Sequence, residues 1–451
     1  MRGSAVFRTG VAPGGALAGP WVQNSLWTRA RAVPSLDLRF ADNKSLVDAT
    51  TGSNLVTFTR ASSGTYVGSD GVLRSAVTNA PRFDHNPTTG KSLGLLVEEA
   101  RTNSSEWSNS ATQGETWSSV GTNLDLASGQ SDPAGGTAGI RATDANSASG
   151  GTFLQRTSLA NLTASTTVTY SVWLKPIDCP NNVIILNVFA NTTTDAINAI
   201  FSVSGTAITE VSTSAIGTGA ASGASFEVFP NGWYRCLLTG VPSTVTMADV
   251  RARIALGSYQ RAAGTARFDW YGAQLESGAF ATSYIPTTGA TATRAADVAS
   301  ITGSNFSSWY RQDEGTVFVN GITPPNRANF PSLNTLHDGT SNNRLLQYVF
   351  TSGYFSAARV GSVPQGDNTA AVTPTDGSAY KVASAFAVNN SVTAVNGVTG
   401  SVDTLCLMPT ALNTLAIGAE WNNANIVNST IRRLTYWPTR LSNEVLQRIT
   451  Q

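Results

Sequence analysis

Charge is scarce in this sequence of 451 residues: only 13% of its positions are charged, about half of the usual share. The 29 lysines and arginines nearly balance the 28 aspartates and glutamates, which leaves a formal net charge of +1. Nucleic acid is therefore a poor candidate for the main partner, because phosphate binding needs a basic excess on one face. The apolar runs also fall far short of the roughly 20 residues of a membrane-spanning helix, so no membrane insertion is expected.

Cysteine and histidine are also rare, with 3 and 2 copies. Cys179, Cys236 and Cys406 show no disulfide framework and no metal-site spacing, and they are typical of small buried residues in a reducing compartment. His85 and His337 fall in predicted turns, with no nucleophile motif beside them. We therefore expect no catalytic residue, no metal site and no cofactor, although a structural Ca²⁺ held by loop carbonyls is compatible with the sequence.

The acidic residues offer no clear pair for sugar hydrolysis, which needs two carboxyl groups about 5–10 Å apart. Glu98 and Glu99 are adjacent, so on a strand they point to opposite faces. The sequence therefore predicts a protein that is not an enzyme.

Serine, threonine, asparagine and glycine supply most of the polarity, which is typical of threonine-rich strands joined by tight turns. Many short strands follow one another without a helical stretch between them, and this pattern predicts an all-β fold of antiparallel sandwiches or jelly rolls. The expected order is an extended arm at 1–35, a β-meander at 36–105, a jelly roll at 106–290 and a second sandwich at 291–451. One short helix is expected after Ser442, a residue type that caps helices.

The first 35 residues contain four arginines, no acidic residue and two isolated tryptophans. Glycine and proline interrupt this stretch, so it makes a poor secretory signal. It is either a floppy terminus or an arm that becomes ordered on a larger body. In the second case the candidate anchoring residues are Trp21, Trp27, Arg29 and Arg31.

The meander segment holds two predicted hairpins, with turns at 68–71 and 86–90. It is also rich in charge, and we expect ion pairs among its members, each of small effect if exposed: Arg60, Arg74, Arg82, Asp84, Glu98 and Glu99. The stretch 57–62 has a loose echo at 291–296, and each carries an arginine in a Thr-x-Thr-Arg-Ala sequence.

Aromatic residues are the best candidates for contact with a ligand, since sugars pack on ring faces. Strand aromatics belong to the core by default, so loop aromatics are the better choices. Trp421 precedes Asn422 and Asn423, and amide groups beside an exposed ring suit a hydroxyl-rich ligand. Tyr354, which follows Ser352-Gly353, is the other candidate for carbohydrate contact.

The stretch Leu36–Asn103 resembles a segment of bacteriophage head-spike and tail-fibre proteins. The likeness rests on the order and turn spacing of four motifs, which together span about a sixth of the chain: residues 57–62, 65–67, 81–84 and 94–103. The resemblance implies a component of an assembled phage particle.

Two further likenesses concern the predicted sandwiches. Residues 231–235, 270–276 and 283–287 resemble a carbohydrate-binding-module jelly roll. Residues 395–397 and 431–442 are similar to concanavalin/laminin-G-like sandwiches.

These observations lead to the expectation of a structural virion protein, made in the host cytoplasm and projecting from the particle as a fibre, spike or decoration. The arm would dock on capsid or tail proteins, the sandwiches would contact host surface polysaccharide, and the protein would self-associate, most simply as a homotrimer. Two alternatives remain open: a polysaccharide depolymerase with accessory sandwiches, and a secreted lectin or adhesin.

Overall fold

The computed structural model describes residues 25–109, 118–120, 124–144, 153–159, 163–179, 183–190, 194–245, 250–256, 266–325 and 327–451. Strands dominate these residues, and the named strands pair in antiparallel fashion within two sandwiches and two separate two-stranded sheets. The all-β fold class is confirmed. Trp21, one of the predicted anchoring residues, lies outside the described part of the chain.

The first described segment contains two short helices and seven strands. They are α1 (Ser25–Ala30), β1 (Leu36–Leu38), α2 (Phe40–Asn43), β2 (Thr57–Thr59), β3 (Gly64–Val67), β4 (Leu73–Ala76), β5 (Phe83–His85), β6 (Ser92–Val97) and β7 (Arg101–Asn103).

The middle segment consists of strands and one 3-10 turn at Pro230–Gly232. The strands are β8 (Ser118–Val120), β9 (Leu124–Gln130), β10 (Gly139–Asp144), β11 (Phe153–Leu159), β12 (Val168–Asp178), β13 (Val183–Ala190), β14 (Asp195–Ser204), β15 (Ala207–Ile216), β16 (Ala220–Val228), β17 (Tyr234–Val241), β18 (Val250–Leu256) and β19 (Ala266–Ser277).

The last segment adds twelve strands, two helices and a 3-10 turn at Arg327–Asn329. Its elements are β20 (Ala292–Arg294), β21 (Val298–Thr302), α3 (Gly303–Ser307), β22 (Glu314–Ile322), β23 (Ser332–His337), β24 (Arg344–Phe350), β25 (Gly353–Val360), β26 (Val363–Thr369), β27 (Ala379–Ala387), β28 (Val392–Val395), β29 (Val398–Thr399), β30 (Thr414–Ile417), β31 (Ser429–Trp437) and α4 (Asn443–Thr450).

The middle sandwich has two sheets of six strands, ordered β16-β17-β12-β19-β10-β9 and β15-β14-β13-β18-β11-β8. Alternating residues of both sheets point between them, as the 2.0 periodicity of strands requires. Their apolar side chains form one buried cluster that includes Tyr170, Leu186, Phe201 and Trp270.

The C-terminal sandwich begins long before residue 291. One sheet has the order β29-β28-β27-β22-β31-β6-β5, with β1 also paired to β31, and the other has the order β2-β21-β30-β23-β24-β25-β26. Leu36, Phe40, Phe58 and Leu95 all belong to its core. The prediction that 36–105 is a meander followed by a separate sandwich is therefore wrong: burial of these apolar residues draws β1, β2, β5 and β6 into the C-terminal sandwich.

Both hairpins predicted in this segment are confirmed. β3 pairs with β4 around the turn at 68–71, and β5 pairs with β6 around the turn at 86–90. Gly71 has φ +76°, a left-handed conformation that glycine adopts without steric cost. These two turns project from the C-terminal sandwich toward the middle one, where a Cβ atom on Gly71 would lie 2.5 Å from Pro230.

The start of the described chain is not extended, which corrects the prediction for residues 25–30. α1 and α4 lie over the outer face of the β22-containing sheet, in an apolar cluster with Leu26, Phe318, Trp437 and Leu446. A half-buried amphipathic turn of helix is more stable than an extended arm here, because it places Leu26 and Ala30 on one apolar face.

The predicted C-terminal helix is present as α4, with Leu446 and Ile449 buried. Ser442 occupies the N-cap position, but its side chain makes no capping hydrogen bond. Among the described residues, no helix combines the length and apolar character that crossing a membrane would require.

Candidate functional site

A hydrogen-bonded chain of polar side chains crosses the interior of the C-terminal sandwich and fixes β24. Gln347 accepts a hydrogen bond from Asn334 at 2.6 Å and donates one to Ser384 at 2.8 Å. Ser384 in turn contacts Thr393 at 3.0 Å, and Thr393 contacts Ser356 at 2.6 Å. Because a slip of one residue would leave these buried groups unpaired, the chain specifies which side chains of β24 and β25 face inward.

The opposite side chains of β24 and β25 face away from the core. Val349 and Tyr354 are buried in the core cluster, so alternation turns Tyr348, Phe350 and Phe355 to the outer face. Tyr348 lies directly opposite Phe355 in the antiparallel register. The two strands thus bring aromatic rings together on the solvent side of the sheet.

Four rings form this outer feature, which we call the ring platform: Phe330, Tyr348, Phe350 and Phe355. Phe330 stacks on Phe350 with ring centroids 4.4 Å apart and planes within 3°. Tyr348 stacks on Phe355 at 5.2 Å and 13°, and Phe330 lies 6.0 Å from Tyr348. A contiguous patch of half-buried rings on a sheet face is typical of an interaction surface.

Phe330 is held in an unusual backbone conformation. Its φ is +51°, in the left-handed region that bulky residues avoid, and its side chain is 46% exposed. The hydrogen bond from Val349 N to Pro331 O, 3.1 Å, ties the chain beside it to β24. A bulky residue held in this conformation is a candidate for a functional position.

Charged side chains flank the rings on the same face. Arg344 and Arg359 are directly opposite each other across the strands. Arg344 Nη1 lies 4.0 Å from Glu420 Oε2, and Arg359 Nη1 lies 3.7 Å from Asp367 Oδ1. Tyr348 donates a hydrogen bond to Asp367 at 3.2 Å. These loosely paired groups supply donors and acceptors beside the rings, which is the combination that a hydroxyl-rich ligand uses.

The predicted contact loop lies at one end of this face. Trp421 is half-buried, whereas Asn422 and Asn423 are exposed. Asn425, in the same loop, accepts a hydrogen bond from Ser332 N at 2.8 Å, two residues after the strained Phe330. The loop therefore borders the segment that carries the first ring of the platform.

The prediction for Tyr354 is wrong in its structural premise. Tyr354 belongs to β25 and is 1% exposed, with its hydroxyl 2.6 Å from Thr323 Oγ1 and its ring 5.4 Å from that of Tyr380. The aromatic residue on the outer face is its neighbour Phe355, which is half-buried and which alternation places on the other side of the sheet.

Two of the predicted anchoring residues make contacts within the protein. Trp27 donates from Nε1 to Asp37 at 2.9 Å, and Arg39 lies 5.5 Å over its ring. Arg29 exchanges hydrogen bonds with Arg448 in α4. Of the residues predicted to anchor the arm, Arg31 is the described one that remains exposed.

Charges of the first and last segments meet in a second notable feature, which we call the buried ionic cluster: Arg60, Arg82, Glu98, Arg294 and Asp297. Arg82 Nη1 lies 2.8 Å from Glu98 and its Nη2 contacts Asp297. Arg60 Nη1 lies 3.1 Å from Asp297, and Arg294 Nη2 lies 3.6 Å from Glu98. All five side chains are at most 7% exposed. The expected ion pairing is confirmed for Arg82 with Glu98, and Arg60 pairs with Asp297, which lies outside the first segment.

The cluster joins the two sandwiches. Glu98 accepts hydrogen bonds from Ser283 N at 2.8 Å and Ser283 Oγ at 2.7 Å, and Ser283 follows the last strand of the middle sandwich. Burial alone would raise the pKa of Glu98, but Arg294, Arg82 and the Ser283 hydrogen bonds outweigh it and hold the pKa at about 2. The carboxylate is thus locked in its charged form.

The two similar stretches of sequence noted above contribute to the same cluster. Arg60 comes from the stretch 57–62 and Arg294 from the stretch 291–296, and both guanidinium groups reach Asp297. Each stretch brings its arginine to the junction at the end of a short strand, β2 or β20. The two similar stretches therefore supply two arginines to one buried contact.

Metal ligands are not grouped in the described residues: no set of three or more His, Cys, Asp or Glu side chains there is placed to hold a metal ion. The three cysteines are buried and free, and burial raises the pKa of the Cys236 thiol well above its ordinary value. His337 is largely removed from water, which lowers its pKa to about 4. A structural Ca²⁺ held by loop carbonyls stays an untested expectation.

Comparison with known proteins adds little to this geometry. No protein-family model and no curated protein matches the chain. Among solved structures, a heptameric SAP-like pentraxin from Limulus polyphemus matches at 15% identity and a TM-score of 0.23, over 30% of this chain and 68% of that chain.

Two laminin structures are similar at the same level. The LG4-5 domains of the mouse laminin alpha1 chain match at 12% identity and a TM-score of 0.20, over 61% of this chain and 85% of that one. The LG1-3 region of the laminin alpha2 chain matches at 10% identity and a TM-score of 0.24, over 64% and 65%. Scores this low support no argument about function, and the β-sandwich architecture rests on the strand pairing described above.

Proposed function

We propose that this chain is a non-catalytic structural component of a bacteriophage particle, which contacts host surface polysaccharide through the ring platform. The observation that supports this most is the stacking of one exposed and three half-buried rings on one outer sheet face, beside arginine and carboxylate groups. Sugar rings present an apolar face for such aromatics and hydroxyl groups for such a rim.

The particle assignment is supported by the resemblance of Leu36–Asn103 to head-spike and tail-fibre segments. In this proposal the residues before α1 dock on capsid or tail proteins, and the C-terminal sandwich faces outward. The edge strand β15, whose side chains are mostly exposed, is consistent with a protein that associates with copies of itself through its sheet edges. We expect a homotrimer, which light scattering on purified protein would detect; a lone monomer would contradict that part.

The test of glycan contact is binding of purified protein to immobilised host capsule or lipopolysaccharide. Tyr348→Ala and Phe355→Ala each remove a ring from the platform and should weaken binding at least about tenfold, as expected for stacked aromatic anchors. Leu405→Ala is the matched control, because Leu405 is an apolar side chain of the same sandwich, 85% exposed, outside the platform. Equal binding by all three variants would overturn the proposal.

The two alternatives predict different outcomes. A depolymerase would release new reducing ends from capsule or lipopolysaccharide, and we expect none. A secreted lectin or adhesin would be absent from particles, whereas antibody labelling of intact particles should find this chain on their surface and would also separate head from tail.

A further inference from the structure

The edges of the sheets are the places where a further strand can add to this protein. Among the described residues, the two sandwiches have eight edge strands: β2, β5, β8, β9, β15, β16, β26 and β29. An edge strand presents backbone N–H and C=O groups that no neighbouring strand pairs, and native proteins protect such edges with short strands, charges, prolines or bulges. A long edge without this protection is open to another chain.

Most of the eight edges are protected in one of these ways. The strands β2, β5, β8 and β29 are no longer than three residues. Pro364 lies in β26, whose pairing with β25 is also interrupted by a bulge. Asp125 lies in β9, which is bulged against β10. These edges leave little regular backbone for another strand to pair with.

The two long edges that remain, β15 and β16, lie on the same side of the middle sandwich. They are ten and nine residues long, and a tight turn joins them, in which Gly219 N donates to Ile216 O at 3.1 Å. A bulge at Ser222 interrupts β16. In β15 the run Glu210–Ile216 pairs with β14 at seven consecutive positions without interruption.

The composition of this run gives it no protection either. Glu210, at one end, is its single charged residue, and it contains no proline, lysine or arginine. All of its side chains except that of Val211 are exposed. Charged residues are depleted in the central part of protein–protein interfaces, and the run has this composition. It is therefore the least protected edge of the described sheets.

A row of polar side chains leads to this edge across the outer face of the sheet. It passes in register through five neighbouring strands: Gln155, Arg253, Asn187, Asn198 and Ser214. Arg253 donates to Gln155, Asn187 donates to Asn198 at 2.7 Å, and Asn198 donates to Ser214 at 3.1 Å. The Ser214 hydroxyl accepts this last bond and still carries a hydrogen to donate, so a strand added at the edge would extend the row.

The run is complementary to a second copy of itself. If two copies pair in antiparallel fashion about a two-fold axis at Thr213, Thr213 lies opposite Thr213 of the second copy, and Ser214 lies opposite Ser212. Glu210 then lies opposite Ile216, so the two carboxylates are at opposite ends of the contact. Threonine pairs across strands are favourable, whereas like charges placed opposite each other are not.

We propose that β15 pairs with β15 of a second copy over Glu210–Ile216, which joins two middle sandwiches through one continuous sheet. The proposal rests on the self-association proposed above, but not on its stoichiometry. A two-fold contact uses the same surface on both copies and closes on itself. It therefore joins copies in twos, and in a homotrimer it would link one trimer to another.

Disulfide cross-linking of the purified full chain tests the register. In Thr213→Cys the two new side chains lie opposite each other, with Cβ atoms about 4.5–5.5 Å apart, close to the range of a disulfide. Oxidation should therefore give a dimer on non-reducing electrophoresis. The native cysteines are buried and should not cross-link, which the unmodified protein checks.

Ser212→Cys is the matched control for the cross-linking. Its two thiols would lie on a diagonal about 7–8 Å apart, which is beyond the reach of a disulfide. We expect Thr213→Cys to give at least about tenfold more cross-linked dimer than Ser212→Cys, because of this difference in distance. Equal amounts, or more dimer from Ser212→Cys, would overturn the proposed pairing.

A charge substitution tests the contact without a cross-link. Thr213→Lys places two lysines opposite each other at the two-fold axis and should weaken association at least about tenfold, which light scattering would detect as a halved mass. Thr209→Lys is the control, since Thr209 is an exposed threonine of the same strand at a bulge before the run, and it should keep the mass of the unmodified protein. Circular dichroism checks that both variants are folded.

The masses also separate this contact from the homotrimer. Six copies that become three in Thr213→Lys would support both, and two copies that become one would support the β15 pairing and contradict the trimer. Three copies in both the unmodified protein and the variant would support the trimer and overturn the β15 pairing. A monomer of the unmodified protein would overturn both.

Discussion

The buried ionic cluster and the ring platform invert the usual distribution of residue types. The cluster places five charged side chains at most 7% exposed between two sandwiches, where charge is rarely found unless paired. The platform leaves four aromatic rings on an outer sheet face, where burial would have stabilised the fold.

This difference indicates that one region of the molecule provides stability and another provides recognition. Every carboxylate of the cluster is paired or hydrogen-bonded within the chain, so its contribution is to fix how the sandwiches meet. The platform rings stack in pairs and are not fully buried, so apolar surface that the stacking does not cover remains available to a ligand. A change in the cluster should therefore alter folding, and a change in the platform should alter binding.

The largest effect is expected for Arg82→Met. It leaves Glu98 and Asp297 with less compensation in a buried site, and removal of one member of a buried pair typically costs about 3–5 kcal/mol of unfolding free energy. Urea denaturation followed by tryptophan fluorescence measures this. Arg74→Met is the control, because the Arg74–Asp70 pair is about half exposed and its loss should leave the midpoint in place; equal shifts for the two variants would mean that the cluster is not a structural lock.

Gln347→Leu should have the next largest effect on stability. It fills the same space but removes the hydrogen bonds to Asn334 and Ser384, and leaving buried polar groups unsatisfied costs about 1–3 kcal/mol. Gln347 determines which side chains of β24 point outward. We therefore also expect Gln347→Leu to bind polysaccharide more weakly than Leu405→Ala does. Unchanged stability together with unchanged binding would show that the polar chain does not position the platform.

The dependence of stability on pH should distinguish Glu98 from Asp84. Glu98 has a pKa of about 2, against an ordinary 4.5, so its contribution is present above pH 4.5 and is lost as the pH falls toward 2. Burial raises the pKa of Asp84 from 3.8 to about 7, with Glu227 and Glu98 adding to the rise against a hydrogen bond from Val67 and the charge of Arg82.

For Asp84 the sign is opposite. Between pH 3.8 and 7 the folded protein holds a proton that the unfolded chain has released, so this residue makes the protein less stable as the pH rises through that window. Asp84→Asn should reduce this loss of stability with rising pH, and thermal unfolding at a series of pH values would measure the change. An identical profile for the variant would contradict the assignment.

The smallest effect on stability is expected for Phe330→Gly. Glycine relieves the backbone strain at φ +51°, and this offsets the lost packing of a half-exposed ring, so the unfolding free energy should change by less than about 1 kcal/mol. Polysaccharide binding should nevertheless fall, because Phe350 loses its stacking partner. Thermal unfolding and the binding assay on the same sample test this prediction. Binding equal to that of the unmodified protein would show that the strained conformation of Phe330 does not contribute to polysaccharide binding.

The local features were predictable from the sequence to different degrees. Glycine-containing turns predicted both hairpins of the first segment, since turn geometry is a property of neighbouring residues. The C-terminal helix was predictable from the spacing of Leu446 and Ile449. The same local reasoning failed at Tyr354, because Gly353 begins β25 instead of ending a loop, and an error of one position exchanges Tyr354 for Phe355.

The long-range features were not predictable. Arg60 and Asp297 are 237 positions apart, and nothing in either local sequence indicates that they meet. Phe330 joins the platform from outside the β24–β25 hairpin, through a backbone conformation that its residue type disfavours. One part of the platform could have been predicted. If the two strands are paired around the short connection before Gly353, Tyr348 lies opposite Phe355.

The most direct test of the division between cluster and platform is hydrogen–deuterium exchange of the full chain with and without host polysaccharide. We expect added protection in residues 344–360, where β24 and β25 carry the rings, and no change in residues 57–65 or 294–298 at the buried ionic cluster. Protection confined to the cluster region, with residues 344–360 unaffected, would contradict the assignment of recognition to the ring platform.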